Sequence, residues 1–358
     1  MIINELENIQ LIWTGNLNLM NVTGIAGDYL NVQLSVAGSV VIDERYDANA
    51  DMTLRSMGDV ISAHMKSIDV KEPNKENYYI LPSAQVTLHI EDSMMTKDYQ
   101  FKAMYSKIRC NAIGVILNAQ NDINTAAGRK EYLCMNAESP LGIGVTAAVL
   151  NEDGTTAYKG IKYPWPTFSD GRSYSIDTSL DYIAGLAEVP TKNILYIDWL
   201  YKSNSHTSKL RFYNDTRHYK NVTQFLFKNQ FGIAETITLT GVTKFEPDRE
   251  SDEAKVMGKL FSVRPELHDV RETNSGYISQ SQYNAFLALA ASDNVYILES
   301  VFTLPIVIKD ISYDHKNLHT SKMAVSVTYE YADKDLKEHV VDTIKARIFD
   351  QTYDNSFE

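Results

Sequence analysis

Cysteine is nearly missing: only Cys110 and Cys134 occur in 358 residues. Neither has a companion at zinc-ligand spacing, and a chain this long can bury roughly three quarters of its unfolded surface without a covalent staple. Two buried free thiols are therefore expected rather than a disulfide. Long apolar runs are missing too, since no window approaches the ~20 residues of a membrane-spanning helix. The first fifteen residues, MIINELENIQLIWTG, have no basic start and no uninterrupted apolar stretch, so synthesis in a cytoplasm without a leader is expected. Positive charge is in deficit, with 34 basic against 46 acidic residues and a net charge of −12. Such a field repels phosphate backbones and argues against nucleic acid as a partner.

The usual marks of catalysis are also missing. There is no G-x-S-x-G elbow, no H-E-x-x-H and no G-x-x-x-x-G-K-[ST]. The segment GIGVTA (142–147) lacks the third glycine of a dinucleotide fingerprint and has no alternating strands and helices around it, so it reads as the start of a strand. No cofactor is implied.

What is present is tyrosine, 22 residues against 12 phenylalanines and 3 tryptophans, together with period-two alternation. Tyrosine suits half-buried strands and protein interfaces because an apolar ring carries a polar tip. In YLNVQLSVAG, Leu30, Val32, Leu34 and Val36 share one face; in AQVTLHI, Val86, Leu88 and Ile90 do so. MAVSVTYEY sets Met323, Val325, Val327, Tyr329 and Tyr331 against Ala324, Ser326, Thr328 and Glu330. These are strands of antiparallel sheets with one wet face. Two helices are expected, one within DMTLRSMGDVISAHM on Leu54, Met57, Val60, Ile61 and His64, the other in SQSQYNAFLALAAS with Ser279 or Ser281 as N-cap. NEDG at Gly154 and SDG at Gly171 read as turns. The fold class is mainly β: two β-sandwich-like domains with short helical insertions. The pattern changes at AEVPTKN, which places an N-terminal domain at 1–190, a C-terminal one at 191–340 and an extension at 341–358.

Candidate sites are weak. Asp47, Asn49 and Asp51 have the D-x-N-x-D spacing that opens a calcium loop, but Met52 replaces the turn glycine and Gly58 the closing glutamate, so a polar turn is preferred. His315 and His319 follow Asp314 in a segment that reads as extended rather than helical. Thr216–Tyr219, with Arg217, His218 and Tyr219, forms a polar-aromatic patch and, with Trp165, a candidate interface.

The stretch FLFKNQFGIAETITLTG (225–241) reads as two strands joined at NQFG. Phe225 and Phe227 alternate in the first, Ile237 and Leu239 in the second. Gly232 permits a tight bend, and Glu235 stands where a carboxylate can accept backbone N–H groups. Asn229, Phe231, Gly232, Glu235 and Thr236 carry a match to N-x-F-G-x-x-E-T, a signature of a family encoded among tail and virion genes of phages and prophages of gut Bacteroidales. VVIDERYDANADMTLRSMGDVISAHM, GRKEYLCM, TRHY and DNVYILES fall in the family's order, so the likeness runs from about Asp28 to Tyr331. The turn without glycine and Gln230 resemble a divergent branch such as the crAss-like phages. The resemblance implies a structural component of the tail, baseplate or neck of a virion. Together with the paired strand patterns, the tyrosine count and the missing catalytic residues, it leads to the expectation of a non-enzymatic subunit that assembles with other tail and neck proteins as a homo-oligomeric ring or sleeve; the lack of a long apolar run argues against a membrane partner. The alternative is a peripheral module that binds a glycan or host receptor; a cell-wall-degrading tail enzyme is a third class with no residue to support it.

Overall fold

The computed structural model describes residues 1–7, 9–47, 51–65, 67, 78–111, 115–136, 142–168, 171–202, 207–256, 259–299, 302–314 and 323–332. The extension at 341–358, together with Asn49, His315 and His319, lies outside them. The chain is mainly β, with three α-helices among the described residues. It divides into two compact units, the first made of 1–217, 227–236 and 287–292, the second of 218–226, 237–286 and 293–358.

In the first unit, one sandwich-like half is built from two layers, antiparallel except where the Leu11–Trp13 strand pairs parallel with Thr96–Met104. A three-stranded sheet has β1 (Ile2–Ile3), β3 (Leu19–Thr23) and β6 (Met52–Arg55) side by side. A five-stranded sheet follows the order β2 (Leu11–Trp13), β9 (Thr96–Met104), β8 (Ala84–Glu91), β4 (Tyr29–Val36) and β5 (Ser39–Asp47). The alternation in the sequence sets the core directly, because Leu30, Val32, Leu34 and Val36 on β4 and Val86, Leu88 and Ile90 on β8 are all buried. Each such side chain stabilises the unit by about 1.5–3 kcal/mol.

Helix α1 (Met57–His64) is shorter than the periodicity predicts. Leu54 belongs to β6, and the chain turns at Ser56, which has a φ of 60°. Ser56 makes no side-chain cap; instead Asn18 Oδ1 accepts the Asp59 backbone N–H at 3.0 Å. At Gly58 a Cβ would sit 1.9 Å from the Thr14 carbonyl oxygen. That close approach, rather than a missing metal ligand, explains the glycine.

The second half of this unit holds a four-stranded sheet, in the order β10 (Val115–Ile116), β12 (Tyr132–Asn136), β15 (Ser173–Asp177) and β7 (Tyr78–Leu81). It also holds a five-stranded sheet, β11 (Asp122–Thr125), β17 (Thr207–Asn214), β16 (Ile194–Lys202), β13 (Ile143–Leu150) and β14 (Thr156–Gly160). GIGVTA thus leads into a strand, and NEDG turns from β13 to β14 with Gly154 at a φ of 80°. Helix α2 (Leu180–Ala187) covers the core built on Leu133, Trp199, Leu210 and Phe212. Pro190, where a division was expected, only starts a short 3-10 turn between α2 and β16, and both of these lie in the first unit.

The second unit holds most of a seven-stranded sheet ordered β19 (Ala234–Leu239), β18 (Thr223–Lys228), β22 (Val295–Glu299), β23 (Phe302–Asp314), β24 (Ala324–Tyr331), β21 (Lys259–Asn274) and β20 (Thr243–Val256). Val325, Val327 and Tyr329 on β24 are buried, and Phe225 meets Tyr329 edge-on at 5.3 Å. Helix α3 (Gln280–Ala290) opens on a reciprocal cap. The Ser279 N–H donates to Gln282 Oε1 at 2.9 Å, and the Gln282 N–H donates to Ser279 Oγ at 3.3 Å, a capping box in S-x-x-Q form.

Candidate functional site

Residues Asn229 to Ile233 join β18 to β19, and the whole stretch from Asn229 to Thr236 belongs to the first unit. Asn229 organises the turn. Its Oδ1 accepts the Phe231 N–H at 3.0 Å, its main-chain N–H donates to the Ile233 carbonyl at 2.9 Å, and its carbonyl accepts the Gly232 N–H at 2.9 Å. An Asn side chain standing in for a backbone acceptor in this way is a usual means of fixing a tight bend. Gly232 has a φ of +73°, and a Cβ there would lie 2.6 Å from the Tyr105 ring and 3.0 Å from Leu81.

Two apolar side chains flank the bend. Phe231 meets Trp13 edge-on at 5.1 Å, and with Ile233 it fills a cluster with Leu81, Met104, Leu117 and Cys134. The next carbonyl, that of Ala234, accepts both Ser175 Oγ at 2.5 Å and Cys134 Sγ at 3.1 Å. Cys134 is fully buried, which pushes its thiol pKa up. Cys110, expected to be buried, is half-exposed; neither cysteine is in a disulfide.

Beside the bend lie two buried carboxyls. Glu235 is 1% exposed; its Oε1 accepts the Ala119 N–H and its Oε2 accepts Asn229 Nδ2, each at 3.0 Å. Burial pushes its pKa up to about 7 against the pull of those donors and of Asn118. Glu131, also 1% exposed, accepts the Thr236 hydroxyl on Oε2 at 3.0 Å. Burial pushes it up to about 8, opposed by the Thr236 hydroxyl and the Arg129 charge. Its Oε1 makes no hydrogen bond, and neither does the buried Thr125 hydroxyl, which nonetheless helps hold the Glu131 pKa down. Desolvation dominates both sites because a buried anion needs more partners than either carboxyl has.

Chemically this is an anchor. Both carboxyls are titratable near neutrality, the property expected of an acid–base pair, but their side chains have no exposed face to offer a substrate. The structure therefore brings together Asn229, Phe231, Gly232, Glu235 and Thr236, and adds Glu131, Asn118 and Ala119, which no local pattern in the sequence links to them.

The other candidates stay apart from this cluster. Trp165 is half-buried and packs on Tyr163 at 4.6 Å, with Phe168 and Trp199 each at 5.9 Å. Arg217 is exposed and paired with the Asp215 carboxylate through Nε and Nη2, both at 2.8 Å; His218 is exposed and Tyr219 half-buried. Asp47 is exposed on β5, while Asp51 Oδ1 accepts the Gly24 N–H at 2.8 Å and so anchors a turn. Among the described residues no three His, Cys, Asp or Glu side chains come together as a metal site, and no helix is long and apolar enough to cross a membrane.

A second grouping, invisible in the sequence, lies on the outer face of the five-stranded sheet of β11, β17, β16, β13 and β14. The Arg211 guanidinium stacks over Tyr196 at 4.0 Å and grips Asp198 through Nε at 2.5 Å and Nη2 at 2.7 Å. Burial alone would push the Asp198 carboxyl up, but the Arg211 and Lys209 cations hold it below the usual carboxylate range. Beside it opens a cleft of about 510 Å³ lined by Asn118, Asn121, Asp122, Thr207, Lys209 and Arg211.

No protein-family model matches the sequence, and no curated protein matches it. Among solved structures, the virion of a native gene transfer agent particle aligns with 30% of this chain and 91% of its own, at 12% identity and a TM-score of 0.20. The anti-feeding prophage baseplate aligns over 34% of this chain and 93% of its own, at 12% identity and a TM-score of 0.21. The Bacteroides ovatus mixed-linkage glucan utilization protein SGBP-B, in complex with a heptasaccharide, aligns over 90% and 74% at 8% identity and a TM-score of 0.17. Scores this low do not define a common fold, and none of the three carries an argument for this chain.

Proposed function

We propose that the chain is a non-enzymatic structural subunit of a phage particle, placed in the tail, baseplate or neck and working by assembly into a symmetric ring or sleeve. One observation carries the reading. The residues that give the sequence its resemblance to phage tail proteins are interior: Asn229, Phe231, Glu235 and Thr236 are each 9% exposed or less. They shape a bend and hold it by hydrogen bonds, so what they preserve is architecture rather than chemistry. Its partners are copies of itself and other tail or neck proteins, made in the host cytoplasm and carried in the virion. The division into 1–190, 191–340 and a C-terminal extension is superseded in this reading by the two compact units, with the extension kept as a contact with neighbours.

Electron microscopy of particles produced with and without this chain tests the reading. Density at a fixed tail position that disappears with the chain supports it; unchanged, complete tails without the chain refute it. A second reading, a glycan-binding module, is favoured by the polar cleft beside the stacked Tyr196, Arg211 and Asp198, since aromatic faces beside hydrogen-bonding groups suit sugars. Trp165 does not serve it, being half-buried among other rings. Glycan-array binding lost in Arg211→Ala would favour this module over the structural subunit.

A further inference from the structure

In the first unit, the outer face of the sheet of β11, β17, β16, β13 and β14 carries two ordered rows of side chains. The strand registers set them. Tyr158 stands opposite Ala148, Ala148 opposite Tyr196, and Tyr196 opposite Tyr213. Two residues along, Gly160 stands opposite Thr146, Thr146 opposite Asp198, Asp198 opposite Arg211, and Arg211 opposite Asp122. Cross-strand partners project from the same side of a sheet. An aromatic row therefore runs beside a polar one, and the polar row crosses all five strands, about 19 Å at ~4.8 Å per strand.

The side-chain contacts agree with the registers. The Tyr196 and Tyr213 rings lie 6.1 Å apart, the Tyr158 and Tyr196 hydroxyls approach to 3.5 Å, and Arg211 lies 4.0 Å from the centre of the Tyr196 ring and 5.5 Å from that of Tyr213. Arg211 thus occupies one face of Tyr196, whereas Tyr158 is 69% exposed and Tyr213 38%. Exposed rings keep apolar surface in water, and a ligand with apolar C–H faces removes that surface from it.

The cleft of about 510 Å³ stands at the β11–β17 end of these rows, within the range of ligand pockets, roughly 300–1,000 Å³. Its walls combine the amides of Asn118 and Asn121, the hydroxyls of Thr207 and Ser208, and the charges of Asp122, Lys209 and Arg211. Those charges are answered within the site. Arg211 commits Nε and Nη2 to Asp198 and Nη1 to the Tyr213 hydroxyl at 3.4 Å, and the Lys209 ammonium faces Asp198 at 3.4 Å. An anion would have to compete with that carboxylate. Amides and hydroxyls, which both donate and accept, suit the hydroxyls of an uncharged sugar ring. A concave polar wall beside exposed rings matches a glycan rather than a flat protein surface.

We infer that the cleft and the tyrosine row together bind an uncharged polysaccharide, with sugar rings packed on Tyr158 and Tyr213 and sugar hydroxyls held in the cleft. The inference deepens the glycan-binding reading and rests on it, by naming the ligand class and the path of the glycan across the strands.

Affinity electrophoresis of the full chain tests it, through gels containing neutral glucans, mannans or xylans, or the acidic alginate or pectate. At least one neutral polysaccharide should retard the protein, equally at low and high salt, because no ion pair carries the binding. Tyr158→Ala and Tyr213→Ala, both at exposed positions, should each weaken that binding about tenfold, and Thr207→Ala with Ser208→Ala should weaken it from the cleft side; circular dichroism checks that each variant is folded. Retardation by the acidic gels alone, lost at high salt, would overturn the uncharged class while leaving the glycan-binding reading intact. Retardation by a neutral gel that all three variants keep would put glycan binding elsewhere and overturn the site. No retardation in any gel would overturn both the inference and the reading beneath it.

Discussion

Replacing Glu131 with Gln should stabilise the first unit, by an amount that grows as pH rises from about 4.5 to about 8. In the folded chain the Glu131 carboxyl titrates at about 8, against an ordinary value of 4.5. Between these limits the folded state holds a proton that the unfolded state has released, so stability falls as pH rises. The contribution is fully present below 4.5 and lost as pH climbs through about 8. Each pH unit in that window costs about 1.4 kcal/mol, a total of about 5 kcal/mol for Glu131 alone. A glutamine keeps the shape and still accepts the Thr236 hydroxyl, and its amide N–H₂ faces the side where Oε1 has no partner. With relaxation and water entry reducing the full figure, Glu131→Gln should be about 2–4 kcal/mol more stable than wild type at pH 8 and nearly equal at pH 5. Urea unfolding followed by tryptophan fluorescence is the assay, since all 3 tryptophans lie within residues 1–217 of the same unit. Glu7, Asp92, Asp153 and Asp198, whose pKa values are lowered, act only in acid and leave this window clear. Parallel stability curves for variant and wild type from pH 5 to 8 would refute the reasoning.

Other outcomes follow from the same bend. Gly232→Ala should cost about 2–4 kcal/mol, because its φ is positive and its Cβ would press on Tyr105 and Leu81; an unchanged urea midpoint would contradict this. Phe231→Ala should cost about 3–5 kcal/mol by removing the ring packed on Trp13, with a change in Trp13 emission as the local readout. Thiol labelling of the native protein should modify Cys110 well before Cys134, which is fully buried with a raised pKa; equal rates would show that the hairpin bend opens readily.

The strands were legible where one face is dry and the other wet. Leu30 to Val36, Val86 to Ile90 and Val325 to Tyr329 announce their sheets because period two is the only spacing that buries them all. Helix α2 was not legible: Leu180, Ile183, Ala184 and Ala187 span only two turns, too few to establish a helical period. Helix α1 lost its first turn to β6 because sheet pairing of Leu54 with Met20 outweighs local helical spacing. A proline at a change of pattern looked like a linker at Pro190, yet the same signal marks any tight turn inside a unit. As for the site, the bend from Asn229 to Gly232 is local and its residues stand out, but the carboxyl partners are remote. Glu235 takes its backbone donor from Ala119, 116 positions earlier, and Thr236 reaches Glu131 across 105. Such pairings are set by how sheets pack, which no short window of sequence contains.

The central claim is that this chain acts by assembling. The most direct measurement is the mass of the purified full-length protein in solution, across concentrations up to those of a crowded assembly site, joined to negative-stain images of the same sample. Closed rings of one symmetry, with a mass that is an integral multiple of the subunit, are predicted. A monodisperse monomer at every concentration, with no incorporation when added to tails lacking the chain, would contradict the account.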